Sequence, residues 1–224
     1  MPELPEVESI RRVLKNSLIN QKLQKYKIFD ERINRFNGVD RKNLGVLLEI
    51  YRKGKILQFN FKNNSIFFHL GMSGRLDLNG IKNKHTHGIF FFDKDVLLYD
   101  DIRKFGYIKI LKNELAKKQF STLGPDALAL SKLDKIFVLN KAKKSSISIK
   151  KFLLNQKNLS GLGNIYVNEI LYLARIHPYS TSFKLKETNW NEIFSYTKKV
   201  LKKAIKNNGT TLSDMTYVLP QGIY

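Results

Sequence analysis

The 224-residue sequence contains no cysteine, which excludes disulfide bonds and cysteine-ligated zinc. It also lacks any run of roughly 18 apolar residues, the length that a membrane-spanning helix needs. The acidic, proline-bearing N-terminus is unlike a secretory signal peptide. We therefore expect a cytoplasmic protein that has no membrane partner and carries no metal or cofactor.

Acidic residues are scarce too, at 19 against 40 Lys and Arg, which gives a formal net charge of +21. A charge of this size exceeds what solubility requires and predicts a polyanionic partner, usually nucleic acid. Repeated Lys-Asn pairs, such as Lys62-Asn63, indicate that an AT-rich coding sequence supplies part of the lysine excess. The chain is long enough for two modest domains, each with its own core.

The hydrophobic pattern changes twice along the chain. Residues 4–14 carry apolar side chains at helical spacing and predict an amphipathic helix. Short β-rich runs separated by turn residues follow, at Val46–Tyr51, Ile56–Phe61, Ile66–His69, Gly88–Phe92, Val96–Tyr99 and Tyr107–Leu111. After an exposed-looking linker the pattern is helical, at Ser131–Asn140, Ile149–Asn155, Ile165–Ala174 and Glu187–Lys206, with a loop at Lys141–Ser146. We predict an α+β protein: a helix plus an antiparallel β-sandwich in residues 1–128, then an all-helical domain in residues 129–224.

The first six residues form a compact set of reactive groups. Met1 precedes a small residue and is therefore of the kind that aminopeptidases remove, which would make Pro2 a free secondary amine. Such an amine can attack the C1′ of a sugar and hold it as an iminium. Glu3 and Glu6, three residues apart, fall on one face of a helix as candidate acid/base groups. The alternative is an ordinary helix start, where proline and acidic residues are both favoured.

Several later segments each allow a functional and a structural interpretation. Lys55 either projects from a strand start or belongs to a solvated turn. Met72, in a glycine-bracketed loop, is either a wedge for insertion between DNA bases or an inward-packing side chain. Arg103 and Phe105 would share one side of an extended segment and suit phosphate contact and base stacking, or a surface cation beside a buried ring.

Two further motifs concern helix starts and metals. Gly161 to Asn164 precede a helix, so their backbone N–H groups form either a phosphate site or an ordinary glycine-rich connection. His85 and His87 have no carboxylate or thiol at ligand spacing, and we predict no metal site there.

Taken in order, these motifs resemble the bacterial formamidopyrimidine-DNA glycosylases of the Fpg/Nei superfamily. Leucine at position 4 makes the sequence resemble the formamidopyrimidine branch of this superfamily, because the endonuclease VIII branch usually has glycine at that position. The matching stretches cover nearly the full length: Pro2–Glu8, Gly54-Lys55, His69–Leu76, Lys84–His87, Asp101–Gly106, Leu123–Pro125, Lys150–Tyr166, Arg175–Pro178 and Gly209–Leu212.

The resemblance implies a role for each matching residue. Pro2 is implied to be the Schiff-base nucleophile, Glu3 the acid/base that opens the sugar, and Lys55 a phosphate-binding residue that assists lyase chemistry. Glu6 would support the active site, and Glu169 would lie near the damaged base. The DNA-binding residues implied by the match are His69, Met72, His87, Arg103, Phe105, Lys150 and Asn164, of which Met72, Arg103 and Phe105 would fill the space left by a flipped nucleotide.

The resemblance also implies an activity. The expected enzyme is a monomeric glycosylase and abasic-site lyase of base-excision repair, which removes 8-oxoguanine and formamidopyrimidines from duplex DNA at the bacterial nucleoid and finishes by β,δ-elimination. The family ordinarily ends in a four-cysteine zinc finger, and this chain, without cysteine and ending at Tyr224, is expected to lack it. Two alternatives remain: a catalytically weak DNA-binding homologue, or an endonuclease VIII-like enzyme for oxidised pyrimidines.

Overall fold

The computed structural model of the protein describes residues 2–35 and 44–208. The N-terminal half consists of α1 (Leu4–Leu18) and the strands β1 (Lys22–Ile28), β2 (Gly45–Val46), β3 (Glu49–Lys53), β4 (Ile56–Asn60), β5 (Asn64–His69), β6 (Gly74–Leu78), β7 (Thr86–Phe92), β8 (Val96–Asp101) and β9 (Tyr107–Lys112). The remainder is helical, with α2 (Asn113–Gln119), α3 (Lys132–Lys143), α4 (Ile149–Leu154), α5 (Asn164–Leu173), a 3₁₀ turn (Ser182–Lys184) and α6 (Glu187–Lys206).

The strands form two antiparallel sheets that enclose the first hydrophobic core. One sheet has the order β2-β1-β7-β8-β6 and the other β3-β4-β5-β9. Aromatic side chains from both sheets meet in this core, where Phe68 packs edge-on against both Phe59 and Phe90. Register pairs His69 with Ile56 on one side and with Tyr107 on the other, so His69 lies beside the start of β4.

A second core fills the helical part and also receives the beginning of α1. Leu4 belongs to this second core, whereas Val7, Ile10 and Leu14 belong to the first. The Leu4 N–H also donates to the Gly161 carbonyl at 3.1 Å. The start of α1 therefore lies between the two cores, and the predicted nucleophile, Pro2, lies two residues before it in the chain.

The predicted fold class is confirmed, while several element boundaries were wrong. Strands β1 and β6 and helix α2 were not predicted, and the predicted strand Val46–Tyr51 is two strands. Helix α3 runs to Lys143, so the loop predicted from Lys141 begins inside it. The domain boundary at residue 128 falls between α2 and α3 and stays a prediction. The Gly209–Leu212 motif lies outside the described residues, among which no helix is long and apolar enough to cross a membrane.

Candidate active site

The carboxylate of Glu3 is buried against the first turn of α5. It accepts hydrogen bonds from the backbone N–H of Gly163 at 2.7 Å and of Ile165 at 3.0 Å, with the Tyr166 N–H at 3.5 Å. A helix N-terminus stabilises a negative charge placed there. Of the two interpretations of this turn, the structure favours the glycine-rich connection, because Glu3 itself occupies the N–H groups of Gly163 and Ile165.

Glu6 links the start of α1 to the same helix. Its carboxylate accepts from the Glu3 N–H at 2.9 Å and from the Tyr166 hydroxyl at 2.5 Å. Glu6 is 4% exposed, so both bonds lie in a region of low dielectric constant, where they are strong. Pro2, one residue before Glu3, is buried at this position.

Lys55 approaches Glu3 from the β-sandwich side, just before β4. A Cβ atom added to Gly163 would lie 2.3 Å from the Glu3 carboxyl carbon and 2.7 Å from Lys55 Nζ, so only glycine fits between the two side chains. Burial lowers the pKa of Lys55 below its ordinary value, against the charges of Glu3 and Glu6. Burial also raises the pKa of Glu3, against the charge of Lys55 and the α5 N–H groups. Both shifts favour the neutral forms, which suits groups that exchange protons.

A cleft of about 310 Å³ adjoins this cluster, between the β-sandwich and the helical part. Burial and the charges of Lys55 and Arg35 lower the pKa of His69 to about 4, so its ring is neutral at pH 7. Because His69 Nδ1 accepts from the Gly71 N–H at 3.1 Å, the ring proton resides on Nε2 and is available to an acceptor. The cleft is lined by Lys55, Ile56, His69, Leu123, Leu154, Gln156, Leu162, Gly163 and Asn164.

The two predicted DNA-inserting loops are joined by one serine. Ser73 Oγ donates to the Asp101 carboxylate at 2.6 Å and accepts from the Arg103 N–H at 2.9 Å. Met72 is 39% and Phe105 56% exposed, so both apolar side chains reach solvent on adjacent loops. The Arg103 guanidinium lies 4.9 Å from the centroid of the Phe105 ring.

The Arg103–Phe105 contact arises from a turn, and the predicted extended segment was wrong. The intervening residue, Lys104, has a φ of 56°, in the left-handed region. Its side chain is anchored by an ion pair with Asp30 at 2.7 Å. The turn brings the cation onto the ring face, where the two attract each other.

Three further predicted site residues, like those of the DNA-inserting loops, are not among the residues that line the cleft. His87 is 5% exposed, and its Nε2 lies 3.0 Å from the Asp101 carbonyl oxygen, so it supports the Arg103 loop from within. Lys150 is half-buried at the start of α4. Glu169 is exposed on α5. Their roles in DNA and base binding stay predictions.

Sequence reasoning missed the residues that hold the site together. Tyr166 was only the end of a motif, and Ser73 was one small residue in a loop. Arg52 and Asp126 were not singled out as candidate residues, yet they form a buried ion pair at 2.7 Å. For Arg52 and Asp126, the signal in the sequence was a charged side chain next to a glycine-bearing turn. Such a side chain indicates an ion-pair partner but does not identify it.

The family's zinc finger does not fit the residues present. The chain has no cysteine, and the described residues contain no group of His, Asp or Glu that could hold a metal ion.

Comparison with known proteins gives a consistent family assignment. The model of the formamidopyrimidine-DNA glycosylase N-terminal domain matches residues 1–108, and that of the H2TH domain of the same enzymes matches residues 123–216. A formamidopyrimidine-DNA glycosylase of Rickettsia felis is 35% identical over 96% of this chain and 80% of its own length.

Solved structures with DNA agree with these matches. A mutant Fpg of Lactococcus lactis bound to DNA containing Fapy-dG superposes with a TM-score of 0.89, at 30% identity over 99% of this chain and 85% of that one. A MutM complex with DNA containing carbocyclic 8-oxo-G gives a TM-score of 0.87, at 33% identity over 95% of this chain and 82% of the other.

Proposed function

The chain belongs to the formamidopyrimidine-DNA glycosylase family, and we propose that it is a DNA glycosylase and abasic-site lyase that removes oxidised purines from duplex DNA. The observation that carries the proposal is the cluster of half-buried Lys55 with Glu3 and Glu6, which are both buried and closely follow Pro2 in the chain. The solved relatives bound to Fapy-dG and 8-oxo-G support the substrate class. The enzyme acts as a monomer at the bacterial nucleoid.

Base removal begins at the Pro2 nitrogen once Met1 has been removed. The amine forms a bond to C1′ as the bond from C1′ to the base breaks, and the nitrogen loses its proton while the departing base gains one. The sugar ring then opens to leave an iminium. Glu3 supplies the proton to the ring oxygen, for which its raised pKa is suited because the acid form persists closer to neutral pH.

Strand cleavage then follows from the iminium, which acts as an electron sink. Loss of a C2′ proton expels the 3′ phosphate, and a second elimination expels the 5′ phosphate. Lys55, close to Glu3 and lining the cleft, binds a phosphate in its protonated form or accepts a proton in its neutral form. Its lowered pKa makes the neutral form accessible.

The exposed loops carry side chains that can take the place of a base flipped out of the duplex at the lesion. A base must leave the stack before C1′ can reach the buried amine, at a cost of a few kcal/mol. Met72 and the Arg103–Phe105 pair lie on adjacent loops and offer apolar and cationic surface that fills the vacated space and so offsets that cost.

The direct test is borohydride trapping on duplexes that contain 8-oxoguanine or an abasic site. The wild-type protein should give a covalent adduct with both, and a Pro2→Gly variant with an added blocking residue should give none. Glu3→Gln should lose the adduct with 8-oxoguanine but keep part of it on the abasic site, whose sugar is already open to an aldehyde.

The alternatives give different results in the same assay. Binding to both duplexes without any adduct would identify a DNA-binding homologue that lacks catalysis. Trapping on a thymine glycol duplex in preference to 8-oxoguanine would identify the pyrimidine-directed activity instead.

A further inference from the structure

Arg52, in β3, contacts three separate segments from a buried position. Its side chain is 6% exposed. The guanidinium donates to Glu8 of α1 at 3.1 Å and to the two carboxylate oxygens of Asp126 at 2.7 and 3.0 Å. It also donates to the Gly54 carbonyl at 2.8 Å. Arg52 and Asp126 take no part in the chemistry proposed above.

The same ion pair fixes the turn that carries Lys55. Gly54 accepts from Arg52 through its carbonyl and donates from its N–H to Asp126 Oδ2 at 2.7 Å. Both polar backbone groups of the residue before Lys55 are therefore held by one ion pair. Movement of this turn would displace the Lys55 backbone from the Glu3 carboxylate.

Asp126 is also attached to the segment that receives Glu3. The next residue, Ala127, donates from its N–H to the Ser160 carbonyl at 3.0 Å, and Ser160 donates from its N–H to the Pro125 carbonyl at 2.8 Å. Ser160 lies three residues before Gly163, whose N–H binds Glu3 at 2.7 Å. A few hydrogen bonds and short stretches of backbone thus connect Asp126 with the Glu3 carboxylate.

The geometry of the pair suits positioning better than it suits stabilisation. A two-pronged guanidinium–carboxylate contact defines direction as well as distance. Buried ion pairs often add little net stability, because the loss of water cancels much of the attraction.

Glu8, the other carboxylate that Arg52 contacts, is held ionised, since hydrogen bonds from Arg11 and Arg12 outweigh its burial and lower its pKa to about 2.

We propose that the Arg52–Asp126 pair is a positioning clamp, which holds the Lys55 turn, α1 and the α5 turn in the arrangement that the lyase step requires. This proposal rests on the proposed function for its catalytic readout. Arg52 and Asp126 act through Lys55 and Glu3 and do not touch the DNA.

The test compares Asp126→Ala, Asp126→Asn and Arg52→Lys with wild type in single-turnover trapping on an abasic-site duplex. We expect the rate to fall about 30-fold in Asp126→Ala, while the dissociation constant for the duplex changes less than about twofold. Arg52→Lys should retain only part of the wild-type trapping rate, since an ammonium cannot make the two-pronged contact. Lys15→Ala is the matched control, because the partly exposed Lys15–Glu49 pair also joins α1 to β3, at 2.8 Å.

A second readout follows the Lys55 side chain itself. Reductive methylation, located by mass spectrometry, should modify Lys55 about fivefold faster in Asp126→Ala than in wild type or Lys15→Ala. If Asp126→Ala does not fold, Asp126→Asn and Arg52→Lys decide by the same two measurements.

Failure of the clamp proposal and failure of the proposed function would give different results. Equal trapping rates and equal Lys55 methylation in wild type and the clamp variants would overturn the clamp. A loss of DNA binding that accounts for the whole loss of rate would also overturn it. Absence of trapping in the wild type would contradict the proposed function, and Lys55 methylation would then decide the clamp alone.

Discussion

At the scale of single residues, neighbouring carboxylates with the same chemistry have different partners and different proton affinities. Glu3 rests on backbone N–H groups and has a raised pKa, whereas Glu8 is surrounded by Arg11, Arg12 and Arg52 and has a pKa lowered to about 2. A buried carboxylate without partners would cost several kcal/mol. The environment therefore makes Glu3 suited to proton exchange and Glu8 a permanent anion.

The hydroxyl of Tyr166 should matter more than its ring, because it donates to the buried carboxylate of Glu6. We expect Tyr166→Phe to lower the free energy of unfolding by about 1.5–3 kcal/mol, the usual worth of a hydrogen bond to a charged group. Urea denaturation measures the loss. Tyr179→Phe is the control, since Tyr179 is 79% exposed and its change should cost less than about 0.5 kcal/mol. Equal losses in the two variants would show that the Tyr166 bond carries no special weight.

Glu8 should make stability depend on pH in the acid range. Its folded pKa of about 2 lies below the ordinary 4.5, so its contribution is present above pH 4.5 and is lost as the pH falls towards 2. With solvent screening of the exposed Arg12 taken into account, we expect this contribution to be about 2 kcal/mol. Urea denaturation at a series of pH values between 2.5 and 6 gives the free energy of unfolding as a function of pH. The slope of that free energy against pH should be shallower for Glu8→Gln than for wild type. Glu192→Gln, on the exposed face of α6, should leave the slope unchanged.

At the scale of elements, the sequence predicted helices well and edge strands poorly. Helix α6 begins and ends where its periodicity predicted, because its apolar residues face one core throughout. Strand β1, with the sequence KLQKYKI, is mostly polar and lies near the sheet edge, so hydrophobicity did not reveal it. Helix α2 has Ala116 as its buried residue and leaves almost no periodic signal.

The candidate site was predicted residue by residue, but its assembly was not. The pairing of Glu3 with Gly163 joins positions 160 residues apart and depends on how two cores meet. No local pattern encodes such a contact, which is why the sequence left both a phosphate site and an ordinary glycine-rich connection open at the α5 turn. The same limit concealed Asp126, whose partner Arg52 lies 74 residues earlier in the chain.

The α5 turn should be intolerant of a single methyl group. Gly163→Ala would place a Cβ 2.3 Å from the Glu3 carboxyl carbon, so Glu3 or Lys55 must move. The Gly163 φ of −133° suits any residue, which means that crowding alone decides the effect. We expect trapping on an abasic-site duplex to slow at least about 100-fold and the free energy of unfolding to fall by about 1–3 kcal/mol. Asn168→Ala, exposed on the same helix, should change neither; an active Gly163→Ala would contradict the packing described.

At the scale of the whole molecule, the formal charge of +21 and the cleft between the two cores predict how DNA is held. Cations that contact phosphates release counterions, so affinity falls as salt rises. Lys150 and Arg103 are predicted contacts of this kind, whereas Met72 offers apolar surface.

Salt titrations should therefore separate the two kinds of contact. We expect Lys150→Ala and Arg103→Ala each to reduce the slope of log affinity against log salt by about 0.9, the value for one phosphate. Met72→Ala should weaken binding to lesion-containing duplex without altering the slope. Fluorescence anisotropy between 50 and 300 mM salt measures both quantities. An unchanged slope in Lys150→Ala would remove that residue from the phosphate contacts.

The position of Glu3 between α1 and α5 also fixes an order of events during synthesis. The N-terminus is the first part of the chain to leave the ribosome, yet its binding place at Gly163 and Tyr166 is made some 160 residues later. Until those residues are made, the start of the chain lacks its binding place, and we expect it to be accessible to the enzymes that trim Met1. Once the second core has formed, Pro2 is buried. We therefore expect Met1 to be removed from the proposed nucleophile while the chain is still growing, before the completed fold buries Pro2.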